Sequence, residues 1–501
     1  MKGLGNYSTQ LGIFYLFFIS NSSSFKTIYQ SFNIERETTN ARSDFPLPSR
    51  AKLDVQGIAK ETLSPQVKSQ KVTRVRPEIP QAMATSPPTL VLQPDQCRIS
   101  ENLVPQRGTN CAGGYHHPLA TTISGAFGTL PTPRAFIKRD GTRLTAGSQT
   151  FRPVGPNIYW LGLDENVGRR ISYPSRRRVR EAIASAAAMG ANTVRSITLG
   201  VSTGHPLSVW PLKGETNEDA FVAIDYAVAT ARHYGIRLII PFTDNYRFYH
   251  GGKYTFLAWE GIHSNDGDLE MNFYRNASII QTFKQYIEVF LTHVNQFNGI
   301  ALKDDPTILA WETGNELGAF DLEEGAPPAA WTREIAAHIK SLDPNHLIID
   351  GSDGVIDSDG DDVEGLDVEE IDIVSNHLYP PKNTSFWQAH GLATASNKVL
   401  LIGEYDWTGS NGGLTLSTFY NQVIKTTAGD IAWSLMSHDD ECCKYVTHDD
   451  GYSIYYPNGN ASLMQKKLLR LVQHWYHLTG RKPPSVLPAV TCPQPEWLEQ
   501  E

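Results

Sequence analysis

From Pro133 to Lys482 one pattern repeats along the chain: a short apolar run, then a longer stretch with apolar positions three or four apart. Strands that alternate with amphipathic helices in this way mark βα units on a parallel sheet. Eight core strands are expected, at Phe151–Tyr159, Thr193–Ile197, Arg237–Phe242, Ile308–Glu312, Leu347–Asp350, Ile371–Ser375, Val399–Gly403 and Asp430–Leu435. Eight such strands suit a closed (β/α)8 TIM barrel, an α/β fold, better than an open sheet. A two-stranded lid is expected ahead of them, over Ala135–Lys138 and Gly141-Thr142.

The helices carry their own start and stop signals. Ser175–Met189 stops at Gly190, and Asn217–Tyr234 stops at Gly235. Ser278–Phe297 begins at a capping-type Ser, and Trp331–Leu342 ends before Asp343-Pro344. The link between the third and fourth strands is unusually long. Its first part, Thr243 to Arg275, is crowded with aromatics and Gly, as a loop that builds a binding surface would be. It is expected to wall the same cleft as the loop after Leu435.

The pattern is absent from Asn21 to Thr132, where Ser, Thr, Pro and Gln are frequent. Such a composition buries too little apolar surface to order itself. A disordered N-terminal extension or linker is therefore expected over 21–132. Before it, Leu11 to Ile19 (LGIFYLFFI) has the length of a signal-peptide h-region and is too short to span a bilayer. Residues 1–20 are accordingly read as a signal peptide, 133–482 as the barrel, and 483–501 as a loop-like tail. A secreted, extracellular location follows, though Lys2 is the one basic residue ahead of the apolar run.

Composition narrows the partners. The 501 residues are 40% hydrophobic and 19% charged, enough for a large core. A net charge of −9 supplies no general basic field, so neither nucleic acid nor an anionic membrane is expected as a partner. The 10 Trp and 21 Tyr suit the faces of sugars, although core packing is their commonest role. Cys97, Cys111, Cys442, Cys443 and Cys492 are too few for a disulfide scaffold, and their odd number leaves one thiol unpaired in a monomer, the expected state.

In a barrel of this kind chemistry sits at the carboxyl ends of the strands. Two acids stand out there. Glu316 follows the fourth strand in Trp311-Glu312-Thr313-Gly314-Asn315-Glu316, and Glu404 ends the seventh in Gly403-Glu404-Tyr405. Acids on nonadjacent strands of one barrel mouth can face each other across a bound sugar. Glycoside hydrolysis needs such a pair: a protonated acid for the leaving oxygen, and an ionised group at the anomeric carbon. Asn315 adds an amide for the neighbouring hydroxyl. Glu312 is the competing acid, expected to be structural.

These residues belong to a longer series of motifs: Phe151-Arg152-Pro153-Val154-Gly155-Pro156-Asn157-Ile158-Tyr159-Trp160, Ala191-Asn192-Thr193-Val194-Arg195, Trp311 to Glu316, His377-Leu378-Tyr379-Pro380, Gly403-Glu404-Tyr405 and Trp433-Ser434-Leu435. In that order, from about Phe136 to Leu478, they resemble glycoside hydrolase family 5, and within it fungal endo-β-1,4-mannanases. The resemblance implies that Glu316 is the general acid/base and Glu404 the nucleophile of a retaining enzyme acting on β-mannan. It implies that Arg195 lies beside Glu404, Tyr379 hydrogen-bonds Glu404, and His377 belongs to the same shell. Trp433 becomes the floor under the sugar at subsite −1. Trp160, Tyr246 and Trp259 are further candidate platforms. Glu316 is expected to start protonated and Glu404 ionised. The family usually has Pro after the acid/base Glu, where Leu317 stands here. The same machinery acting on another β-glycoside or from chain ends, or a silent carbohydrate-binding barrel, are the alternatives.

No cofactor or metal is expected. Asp357-x-Asp359-x-Asp361 begins like a calcium loop but has Asp362 where Gly is needed and Val368 where Glu is needed. His438 to His448 contains adjacent cysteines, which do not fit zinc-ligand spacing.

Overall fold

The computed structural model describes residues 130–263, 269–318, 326–356, 363–439 and 444–490. The readings of residues 1–20, of 21–129, of the Asp357–Asp361 loop and of all five cysteines lie outside them. No helix among the described residues is long and apolar enough to cross a membrane.

Three strands come first: β1 (Lys138–Asp140), β2 (Arg143–Ala146) and β3 (Gln149–Phe151), joined in an antiparallel sheet. Gly141 and Gly147 make its turns, each at φ +61°, a conformation that a Cβ disfavours. The lid thus has three strands, not two, and Phe151 pairs with Leu144 in it instead of opening the barrel. Ile137 and Leu144 are buried with Leu347, Ile373 and Val399, which begin barrel strands. The small sheet therefore plugs the amino-terminal end of the barrel and leaves the other end free for chemistry.

All eight expected strands form, some with shifted ends. They are β4 (Val154–Pro156), β5 (Thr193–Arg195), β6 (Arg237–Pro241), β7 (Ile308–Glu312), β8 (Leu347–Asp350), β9 (Ile373–Leu378), β10 (Val399–Tyr405) and β11 (Gly429–Ala432). They pair in parallel in the order β4–β11–β10–β9–β8–β7–β6–β5. Hydrogen bonds from Asn192 N to Val154 O (3.0 Å) and from Ile158 N to Arg195 O (2.9 Å) join β4 to β5 and close the ring. Nearly every strand residue is buried, since helices cover the outer face and the barrel core fills the inner one. Leu435, expected at the end of the eighth strand, instead pairs with Ile454 through β12 (Leu435–Met436) and β13 (Ile454–Tyr455).

The caps behave as their chemistry demands. Ser175 caps α1 (Arg176–Ala188), and Asn217 caps α2 (Glu218–Tyr234), which stops at Gly235 with φ +72°. Two short helices, α3 (Lys253–Trp259) and α4 (Met271–Arg275), lie in the long link after β6. Next, α5 (Ala277–Thr292) is capped by Asn276, whose side chain accepts from the amides of Ser278 and Ile279, so Ser278 is not the cap. It also ends short of Phe297. His293 Nε2 and Asn295 Nδ2 each reach Asp225 of α2 at 3.0 Å, which turns the chain away from the helix axis. The ring is completed by α6 (Ala329–Leu342), α7 (Asn383–Ala395), α8 (Leu416–Thr426) and α9 (Ser462–Leu478).

Candidate active site

Arg195, the last residue of β5, is the hub. It is 1% exposed, and each of its three guanidinium nitrogens donates a hydrogen bond. Nε donates to Glu312 (2.8 Å), Nη1 to Glu404 (2.8 Å) and Asn157 (3.2 Å), and Nη2 to Asn315 Oδ1 (2.8 Å). A buried cation held by two carboxylates and two amides keeps its charge and fixes its partners. Glu312 is thus committed to Arg195, as its depth in the barrel requires.

Glu404 faces the barrel mouth through a local irregularity. The register between β9 and β10 shifts between Ile402 and Glu404. Such a bulge re-aims the side chain that follows it. Gly403 permits the close approach, because a Cβ there would lie 2.2 Å from Ser375 Oγ and 2.8 Å from His377 Nε2. Glu404 then accepts from Arg195 on Oε1 and from the Tyr379 hydroxyl on Oε2 (2.8 Å).

Glu316 sits just beyond β7 at φ +50°, a strained setting for a large side chain. Its neighbours hold it there: Leu317 N donates to Gly351 O (2.8 Å) and Gly318 N to Asn245 Oδ1 (3.1 Å). Here Leu317 makes a bond that the family's usual Pro could not. The Glu316 carboxylate meets His377 Nδ1 at 2.6 Å and accepts from the Tyr246 hydroxyl at 2.8 Å. Tyr246 is therefore a hydrogen-bond donor to this acid, where a platform was expected.

His377 bridges the pair, 2.6 Å from Glu316 and 3.7 Å from Glu404. One ligand atom from each of the three residues lies within 4.8 Å of the other two. This is the one such group of metal-ligating side chains among the described residues, and its atoms are already taken up in hydrogen bonds with one another and with Arg195, Tyr379 and Tyr246.

The charges of the three groups act on one another. Burial works against the His377 charge, but Glu404 and Glu316 outweigh it and push it up to about 9. Burial and the nearby Glu316 push Glu404 up to about 7, against the pull of His377 and Arg195. Burial also raises Glu316, yet the bonds from His377 and Tyr246 and the charges of His377 and Arg195 hold it below its ordinary value. Glu316 thus lies below its ordinary value, where a raised one was expected. His377, 2.6 Å from it, leads the groups that overcome burial.

Trp433, just past β11, stacks on Tyr159 at 5.4 Å between centroids with 14° between planes. Its indole N–H donates to Asp450 (2.6 Å). Two expected platforms lie elsewhere. Trp160 is fully buried, donates to Leu435 O and carries the Arg178 guanidinium over its ring, so it has no face for a sugar. Trp259 packs on Trp210 and Phe256 at the hydrophobic core.

Several contributors escaped sequence reasoning. Asp244, just beyond β6, accepts from the Asn315 amide (3.3 Å) and meets His250 Nε2 (2.7 Å). The strand-end rule that singled out Glu316 applies to it equally. Asp353, beyond β8, is pushed up to about 7 by burial and by the charge of Glu316. Asn157, inside the first-strand motif but given no role there, orients Arg195, and Asp450, which carries no local motif, holds Trp433.

A β/α barrel with paired acids at the ends of its fourth and seventh strands is the architecture of a glycosidase. The chain belongs to glycoside hydrolase family 5: the model described as "GH family 5 beta-mannosidase-like" matches residues 134–405. Mannan endo-1,4-beta-mannosidase 1 of Arabidopsis thaliana is 30% identical over 67% of this chain and 90% of its own length. Putative mannan endo-1,4-beta-mannosidase 9 of Oryza sativa subsp. japonica is 28% identical over 64% of this chain and 84% of its own. Among solved structures, the endo-1,4-beta-mannanase of Rhizomucor miehei superposes with a TM-score of 0.56 at 23% identity, covering 69% of this chain and all of that one. The endo-beta-1,4-mannanase of Thermotoga petrophila gives 0.54 at 23% identity, over 68% and 79%. Those two structural likenesses speak to the fold.

Proposed function

We propose that this protein is a retaining β-glycoside hydrolase that cleaves β-1,4-mannosidic bonds inside mannan-type polysaccharides, with Glu404 as nucleophile and Glu316 as acid/base. The observation that carries the reading is the closeness of the two acids: an oxygen of each lies within 4.8 Å of the other. That spacing suits direct attack at the anomeric carbon and leaves no room for an intervening water. The mannosidic linkage and the internal cut rest on the names of the plant relatives.

In the first step Glu404 attacks the anomeric carbon while a proton passes from Glu316 to the departing oxygen, giving a covalent glycosyl-enzyme. In the second, Glu316 takes a proton from water, and the water displaces Glu404. The proton for departure is stored 2.6 Å away, between His377 Nδ1 and Glu316. Arg195 and Tyr379 hold Glu404 in line and stabilise its ionised form. Asn315 keeps a free amide hydrogen for the hydroxyl beside the reacting carbon, and Trp433 lies under the ring at subsite −1.

The purified chain should release a ladder of oligosaccharides from mannan and act more weakly on β-glucan and aryl β-mannosides. Faster turnover of β-glucan would overturn the linkage; mannose as sole product would overturn the internal cut. We also propose export, on the apolar run Leu11 to Ile19. Expression in a secreting host should yield a mature N-terminus near residue 21.

A further inference from the structure

Trp433 is held from two sides. Tyr159 covers one face of its ring, so a single face remains for a ligand. Tyr159 is itself tied down: its hydroxyl accepts from Asn166 Nδ2 (2.8 Å) and meets His448 Nδ1 (3.0 Å). The edge of the indole is fixed by Asp450, whose Oδ2 accepts the N–H at 2.6 Å and lies 3.3 Å from His448 Nε2. The other oxygen of Asp450 accepts from Tyr452 N (2.8 Å). Tyr452 packs its ring 5.1 Å from Tyr379, the hydroxyl donor to Glu404. One carboxylate therefore joins the ring under the sugar to the support of the nucleophile. Burial disfavours its charge, but the bond and charge of His448 and the two N–H donors outweigh this, and Asp450 stays below the ordinary carboxylate range.

We propose that Asp450 is a positioning residue for the reaction, fixing the Trp433 ring and enriching its open face for a positively charged transition state. This rests on the reading of Trp433 as the floor of subsite −1. Glycoside cleavage passes through an oxocarbenium-like state, in which the ring of the substrate gains positive charge. A cation over an aromatic face is attracted by the ring's quadrupole. An N–H donated to a carboxylate shifts electron density into the indole and strengthens that attraction. An interaction that grows only in the transition state raises kcat and leaves KM nearly untouched.

The test is a kinetic cycle on a soluble β-1,4-manno-oligosaccharide, with melting temperature followed alongside. Asp450→Ala should lower kcat/KM by about 10–100-fold, the scale of one charge-assisted hydrogen bond. Asp450→Asn keeps an acceptor for the indole and removes the charge. It should leave KM near wild type and lower kcat by about 3–10-fold, with an unchanged melting temperature; a purely structural Asp450 would not divide the two constants. Trp433→Phe keeps a ring but has no N–H, so adding Asp450→Ala to it should cost less than about twofold more. Losses that multiply in that background, or wild-type kcat in Asp450→Asn, would overturn the inference. Trp433→Ala separates the two readings. If it is inactive while Asp450→Ala is normal, the inference alone fails; if it is fully active, the floor reading fails and the inference with it.

Discussion

At the residue scale the site is a shared-proton set. His377 is shifted up to about 9 from 6.5, and Glu404 up to about 7 from 4.5. Both shifts mean that the folded site binds protons that the unfolded chain has released. Over that window the folded state holds more protons, so its stability falls as pH rises from about 5 to about 9. Activity follows the same groups with two limbs. In the proposed mechanism attack requires ionised Glu404, so kcat/KM should rise through about pH 7. Departure requires the proton between His377 and Glu316, so kcat/KM should fall as His377 loses it near pH 9. Replacing His377 with Asn should move the alkaline limb to lower pH; superimposable profiles would remove His377 from proton storage. Glu404→Ala should cut kcat by at least about 10⁴-fold without unfolding the protein. Added azide should then restore turnover and give product of inverted configuration, read by NMR. Full activity in that variant would end the assignment.

At the element scale, the chemistry depends on how strands finish. The bulge before Glu404 and the φ of +50° at Glu316 each point an acid inward where a regular strand would not. Each depends on a neighbouring strand: Ser375 and His377 of β9 leave no room for a Cβ at Gly403, and Gly351, just beyond β8, accepts from Leu317 N. At the opposite end the barrel is closed by the small sheet. Leu144 of β2 is 1% exposed against the first residues of β8, β9 and β10. Leu144→Ala should cost about 2–4 kcal/mol in denaturant unfolding, the usual range for a core cavity. Because the plug lies at the amino-terminal end, kcat should stay within about twofold of wild type. A large loss of kcat with little loss of stability would mean that this sheet shapes the active site.

For the whole molecule, the barrel is expected to be sufficient. The family match covers 134–405, and each described side chain of the site lies within the barrel or its loops. A chain lacking residues 1–129 should fold and keep kcat/KM on a manno-oligosaccharide within about twofold. If catalysis is lost while the shortened chain remains folded by circular dichroism, the extension contributes to the site, contrary to the reading of 21–132 as linker.

The eight strands, the spans of α1 and α2 and their glycine stops were legible because each is written locally, in a hydrophobic period or a single glycine. That Glu316 and Glu404 would stand together was legible for a similar reason: a strand end is a local feature, and a barrel directs all its strand ends to one mouth. Tertiary structure decided what depends on neighbours distant in the chain. Trp160 and Trp433 both follow barrel strands, yet one is sealed under Arg178 and the other keeps a face open beside Tyr159. Tyr246 became a donor to Glu316 because the loop after β6 folds over the end of β7. The lowering of Glu316 against its burial was led by His377, 61 residues away in sequence and 2.6 Å away in space. Facing and ionisation are properties of assembled surroundings, which no window of sequence contains.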